Sequence, residues 1–154
     1  MPKSIFPIML TASLIMGFSL DTSLDTEADK IQGTWLNQEG TSHIKIFRAV
    51  NGNFAGKYYG KIIWLKVPEE NGKPKTDKNN PDKSKRNTPI LNLLILKDFS
   101  YDLDDKEWSG GTIYDPNNGK TYSCYMSLNG NKLNVRGYVG ISLIGRTAVW
   151  TRVK

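Results

Sequence analysis

The sequence predicts an all-β protein folded as a single antiparallel β-barrel. Three observations predict it. From Ile31 onward the chain is a series of short segments rich in β-branched and aromatic residues. These segments are broken at regular intervals by Asn, Asp and Gly, the residues that turns demand. No stretch shows the 3.6-residue apolar period of an amphipathic helix. With 154 residues, 38% of them hydrophobic, the chain can build one core and is too short for two ordinary domains.

The first element is not part of the barrel. Residues 1–20 carry Lys3 and then an uncharged apolar run, the form of a secretory signal peptide. Pro7, Thr11 and Ser13 interrupt the run and an acidic segment follows at once, whereas a membrane-spanning helix needs about 20 continuous apolar residues. Gly17 and Ser19 put cleavage after residue 19, with Ala28 a later candidate, so the expected location is exported, periplasmic or secreted. The only cysteine is Cys124, which argues against a lipid anchor after the apolar run and excludes an intrachain disulfide. It sits on a strand face with Tyr122 and Met126 and is expected as a small buried hydrophobe, or as the link of a dimer if that face is open.

The barrel domain is expected over residues 30–154. Strands are predicted at 31–37 and 42–49, and Asn51-Gly52 then turns the chain into a long third strand within 53–66. Residues 67–89, rich in Pro, Lys, Asn and Asp, form a long loop, either a lid, an ordered Ω-type segment or a mobile linker. Strands resume at 90–99, 107–114, 120–128, 131–139 and 141–153. About eight strands suffice to close a barrel, and both faces of the last one carry large side chains, as a barrel wall permits.

Several groups of residues now form a pattern: Ile31-x-Gly33-x-Trp35, Gly60-Lys61-Ile62, and Trp108-x-Gly110-Gly111-x-Ile113-Tyr114-Asp115-Pro116-x-x-Gly119-Lys120-x-Tyr122. With Leu133-x-Val135-Arg136-Gly137-Tyr138 and Gly145-Arg146-Thr147-x-x-Trp150-Thr151-Arg152, it resembles the domain-of-unknown-function 2147 family of small exported bacterial proteins. The resemblance implies fold and compartment rather than chemistry. The chain departs from the family pattern at Asn87, Asn92 and Asp98, where an arginine and two glycines are more usual. Gly33-x-Trp35 with an arginine on the last strand also looks like the closure signature of lipocalins, a calycin-type barrel. That likeness implies that Arg152 stacks on Trp35 and plugs one barrel end.

Candidate chemistry is sparse. His43 is the only histidine and lies near no carboxylate cluster, which argues against both a zinc site and a catalytic triad. Asp77 and Asn80 lack the calcium-loop pattern and are expected to cap turns, and Asp115 to bond its own turn before Gly119. No metal, cofactor or catalytic residue is expected. Removing residues 1–19 leaves 20 basic against 15 acidic side chains, which suits anionic ligands, lipid headgroups or an ordinary soluble surface. The lysine-rich stretch also carries Asp77 and Asp82, and an exported protein meets little nucleic acid, so none is expected as a partner. Arg136 and Arg146 are the sharper pair, cations within strands flanked by glycine and apolar residues. Either they point inward and hold a carboxylate or phosphate headgroup, or they make ion pairs or face solvent. Tyr114, Tyr138, Trp64 and Trp108 would then enclose the ligand body. The expected function is binding of a small amphipathic, lipid-like ligand. The alternative is a cell-envelope structural or interaction module with a solid core and a protein partner.

Overall fold

A computed structural model describes residues 26–154 of the chain. The predicted signal segment and its cleavage site after residue 19 lie outside the described residues.

Eight strands close into one antiparallel barrel: β1 (Gly33–Leu36), β2 (Ser42–Arg48), β3 (Tyr58–Leu65), β6 (Leu94–Asp102), β7 (Glu107–Asp115), β8 (Lys120–Asn129), β9 (Lys132–Tyr138) and β10 (Gly145–Arg152). Each pairs with its neighbour in the chain, and β10 returns to β1 through Trp35 opposite Arg152. This up-and-down closure leaves no free sheet edge. A separate hairpin, β4 (Glu69–Glu70) with β5 (Lys73–Pro74), lies between β3 and β6 outside the barrel.

The strand alternation predicted from the sequence sorts inward from outward side chains. Cys124 faces Gly137, Met126 faces Val135 and Leu128 faces Leu133 on the inside, while Tyr125 faces Arg136 on the outside. Three differences from expectation have local causes. The third strand starts at Tyr58, because residues 52–54 form a 3-10 turn instead. The last strand starts at Gly145, since residues 139–144 form a loop closed by Val139 N–H to Ile144 O and Ile144 N–H to Ile141 O. The sixth strand carries register shifts against β3, so that Ile95 and Leu96 are both buried.

Those shifts also give meaning to the departures noted in the sequence. Asn92 and Asp98 have φ of 70° and 65°, in the left-handed region that favours glycine. Asparagine and aspartate tolerate it better than other side-chain-bearing residues, which is how the chain keeps the bends without glycine.

The two barrel ends differ. At one end a helical turn over residues 26–29 and the chain to residue 32 fill the opening. Ile31 is fully buried, Trp35 Nε1 donates to Ile31 O at 2.9 Å, and Trp108 Nε1 donates to Ala28 O at 3.0 Å. Arg152 lies with its guanidinium carbon 4.2 Å from the Trp35 ring centroid and donates to the carbonyls of Gln32 and Lys30. Gly33, at φ 132°, leaves room for it, since an added Cβ would sit 2.6 Å from Arg152 Nη1. Above this plug Phe99, Leu96, Met126 and Leu133 pack the closed half solid.

Candidate functional site

The other half of the barrel is hollow. Side chains that point inward near the mouth are small or absent: Gly137 and Ala148 stand on neighbouring strands, and a Cβ built on Gly137 would meet nothing nearer than 3.5 Å. The result is a cavity of about 840 Å³ that opens between the turns at the mouth. Its volume falls within the ordinary range for a small-molecule site. Its floor is apolar, formed by Ile44, Ile62, Ile95, Val135, Ala148 and Trp150, with Ile113 and Tyr122 on the wall. The alternative of a barrel packed solid throughout therefore does not hold, because the filled core stops halfway up the strands.

The charges sit above that floor. Arg146 lines the cavity from the second position of β10, opposite Gly137 and two residues before the inward Ala148, on the same strand face. No carboxylate among the described residues lies within ion-pair distance of it. Lys66, Lys75, Glu39 and Asp115 line the rim. Asp115 accepts the Asn117 N–H at 2.9 Å, so its carboxylate serves its own turn, as the sequence predicts.

The remaining predicted site residues are not brought together. Arg136 is on the outer face, opposite Tyr125 and Thr147, and donates to Ser142 O and Thr147 Oγ1. It does not line the cavity: strand alternation sends neighbouring positions 136 and 137 to opposite sides, and Gly137 takes the inside. Trp64 lies outside against His43, with ring centroids 4.4 Å apart, and is 41% exposed. Trp108 is buried at the closed end against Tyr101, far from the mouth. Tyr138 reaches the rim, but its ring lies outside against Tyr125. Of the two arginines, only Arg146 faces the cavity.

Tyr114 lines the rim, yet its hydroxyl is committed elsewhere: it donates to Asp77 Oδ1 at 2.7 Å. Burial, then the bonded Asp77 carboxylate, pushes the Tyr114 hydroxyl up to about 12. Asp77 itself is fully buried and accepts a second bond from Asn80 Nδ2 at 2.7 Å. Asp77 is thus more than a turn cap, because it fastens the 67–89 segment to the barrel wall. Nothing in the local sequence marks it, since the partner tyrosine is 37 positions away. Cys124 is buried at 1% exposure and its thiol is pushed up to about 12 by burial, so it cannot link two chains. Among the described residues no group of three or more His, Cys, Asp or Glu is placed to hold a metal, and no helix is long and apolar enough to cross a membrane.

Comparison with known proteins follows this geometry. A solved structure with a TM-score of 0.66 and 26% identity covers 81% of this chain and 84% of its own; it is protein HP1028 from the human pathogen Helicobacter pylori, described as belonging to the lipocalin family. No curated protein matches the chain. The family model described as "Uncharacterized protein conserved in bacteria (DUF2147)" matches residues 33–152, which run from the plugging glycine of β1 to the capping arginine of β10. A closed eight-stranded, lipocalin-like barrel with one plugged and one open end, this chain belongs to the DUF2147 family.

Proposed function

We propose that the protein is an exported carrier that binds a small amphipathic, anionic ligand in the mouth of its barrel. One observation carries the reading: an apolar cavity of about 840 Å³ with a single inward arginine, Arg146, on its wall. Burying an alkyl chain of such a ligand on the Ile44, Ile62 and Val135 floor gains about 0.8 kcal/mol per methylene. A carboxylate or phosphate at the head would meet a guanidinium able to bond it in bidentate fashion. At the rim Lys66 and Lys75 are balanced by Glu39 and Asp115, so Arg146 supplies the net positive charge that a headgroup would meet. Export rests on the form of residues 1–20.

The test is uptake of a fluorescent fatty acid by the protein purified from its exporting host, with native mass spectrometry of the same sample. Arg146→Ala should weaken probe binding five- to tenfold with little change in melting temperature. Ala148→Phe, which fills the cavity, should abolish binding. Arg136→Ala should leave probe affinity as it is. A protein that takes up no probe and carries no bound mass would overturn the carrier reading.

A further inference from the structure

The cavity mouth carries a second feature, a loop that borders the cavity through Val139 and Ile144 and extends beyond it. In the 139–144 loop Leu143 is 84% exposed, Ile144 66%, Val139 65% and Ile141 58%, four aliphatic side chains in water within six residues. Scattered exposed hydrophobics are ordinary, but a contiguous apolar tip calls for a partner. The loop is built to present them. Arg136 clamps its backbone through two bonds to Ser142 O, and paired N–H to carbonyl bonds close it on itself.

A basic segment borders the mouth of the barrel. The 66–86 segment, whose Lys66, Val67 and Lys75 line the mouth, carries seven Lys and Arg against four acids. Two of those acids are already paired, Glu70 with Lys78 and Asp82 with Lys85, and Asp77 is buried. The β6–β7 turn, at the plugged pole, is the reverse, with Asp102, Asp104, Asp105 and Glu107 around one lysine. The basic segment draws the mouth toward a negative surface.

We propose that the mouth docks on an anionic lipid bilayer, with Val139, Ile141, Leu143 and Ile144 inserted at the headgroup–acyl boundary and the basic 66–86 segment on the headgroups. Apolar side chains beside a basic segment are the combination an interfacial anchor requires. Docking goes beyond the carrier reading and does not depend on it, because Ile141 and Leu143 do not line the cavity, although Val139 and Ile144 edge it. Where both hold, a lipid-like ligand passes between bilayer and barrel without crossing water.

The experiment exploits the buried, unreactive Cys124. The protein purified from its exporting host is labelled with an environment-sensitive dye at Leu143→Cys, or at Asp104→Cys on the opposite pole, and mixed with phosphatidylglycerol or phosphatidylcholine vesicles. The expected result is a blue shift at position 143 and none at 104, stronger with phosphatidylglycerol and weakened by salt. The Ile141→Asp, Leu143→Asp double variant, at two loop positions that do not line the cavity, should bind vesicles at least tenfold more weakly while taking up the fatty-acid probe normally. Ala148→Phe should do the opposite, so failure of docking and failure of the carrier reading are separable. No shift at 143, or equal shifts at both positions, overturns docking. A shift at 143 that grows with protein concentration without vesicles also overturns it and assigns the loop to a second copy of the chain.

Discussion

Arg152 does at one position what no other side chain could: its planar guanidinium covers the Trp35 ring while its edge donates to the carbonyls of Lys30 and Gln32. Arg152→Ala removes the stacking and leaves two carbonyls of the plug without these donors, and should destabilise the fold by about 2–4 kcal/mol in denaturant titration. Arg152→Lys should recover less than half, since an ammonium cannot stack and fork together. The Tyr114–Asp77 bond gives a second residue-scale outcome, with a pH signature. The Tyr114 hydroxyl is raised to about 12 in the fold against 10.0 for a free tyrosine, by burial first and the Asp77 carboxylate second. Its contribution to stability is therefore complete below pH 10 and disappears as pH rises from 10 to 12. Ultraviolet titration of phenolate should show two late-ionising hydroxyls, those of Tyr114 and Tyr59, of which Tyr114→Phe removes one. The same variant should cost about 1–3 kcal/mol at neutral pH, because buried Asp77 keeps only Asn80 as partner.

At the scale of elements, the 66–93 connection is long for a small domain, but it is not a loose lid. The β4–β5 hairpin folds on itself, Asp82 caps a short 3-10 turn at residues 83–85, and Asp77 ties the segment to β7. Asn79 docks on the β7–β8 turn by donating to the carbonyls of Pro116 and Asn117. Gly119 makes that approach possible: its φ is 71°, and an added Cβ would lie 1.9 Å from the backbone oxygen of Asn79. Gly119→Ala should release the segment without opening the barrel, seen as faster proteolysis within residues 75–90 and a stability loss of about 1–3 kcal/mol. Asn92→Gly should act in the opposite direction, raising stability by up to about 1 kcal/mol, because the left-handed conformation at φ 70° then carries no Cβ strain. The plug is an element too. Ala28 O accepts the Trp108 N–H, so a chain starting at residue 29 loses that partner and should melt below one starting at residue 20.

For the whole molecule, the decisive property is that one barrel carries two different ends. The plug and the large inward side chains of the lower half supply stability, and the small inward residues of the upper half supply space. The fold was legible in the sequence because strand alternation and Asn, Asp and Gly turns are local signals, and all eight barrel strands lie where those signals place them to within a few residues. The pairing of Trp35 with Arg152 was legible only through likeness to lipocalins, since 117 positions separate the two. The site was half legible. Arg146 faces the cavity as one of the two expected readings had it, but Arg136, Trp64 and Trp108 do not, because a sequence shows that two faces alternate without saying which is the inner one when both carry large residues. By itself the sequence determined the strands, their turns and the basic character of the 66–86 segment, all set by neighbours in the chain. Only the tertiary structure decided which arginine faces the cavity, that Asp77 is an anchor, and that four aliphatic side chains of residues 139–144 stand in water beside the mouth. These depend on barrel closure and register, which bring together residues whose separation in the chain carries no signal.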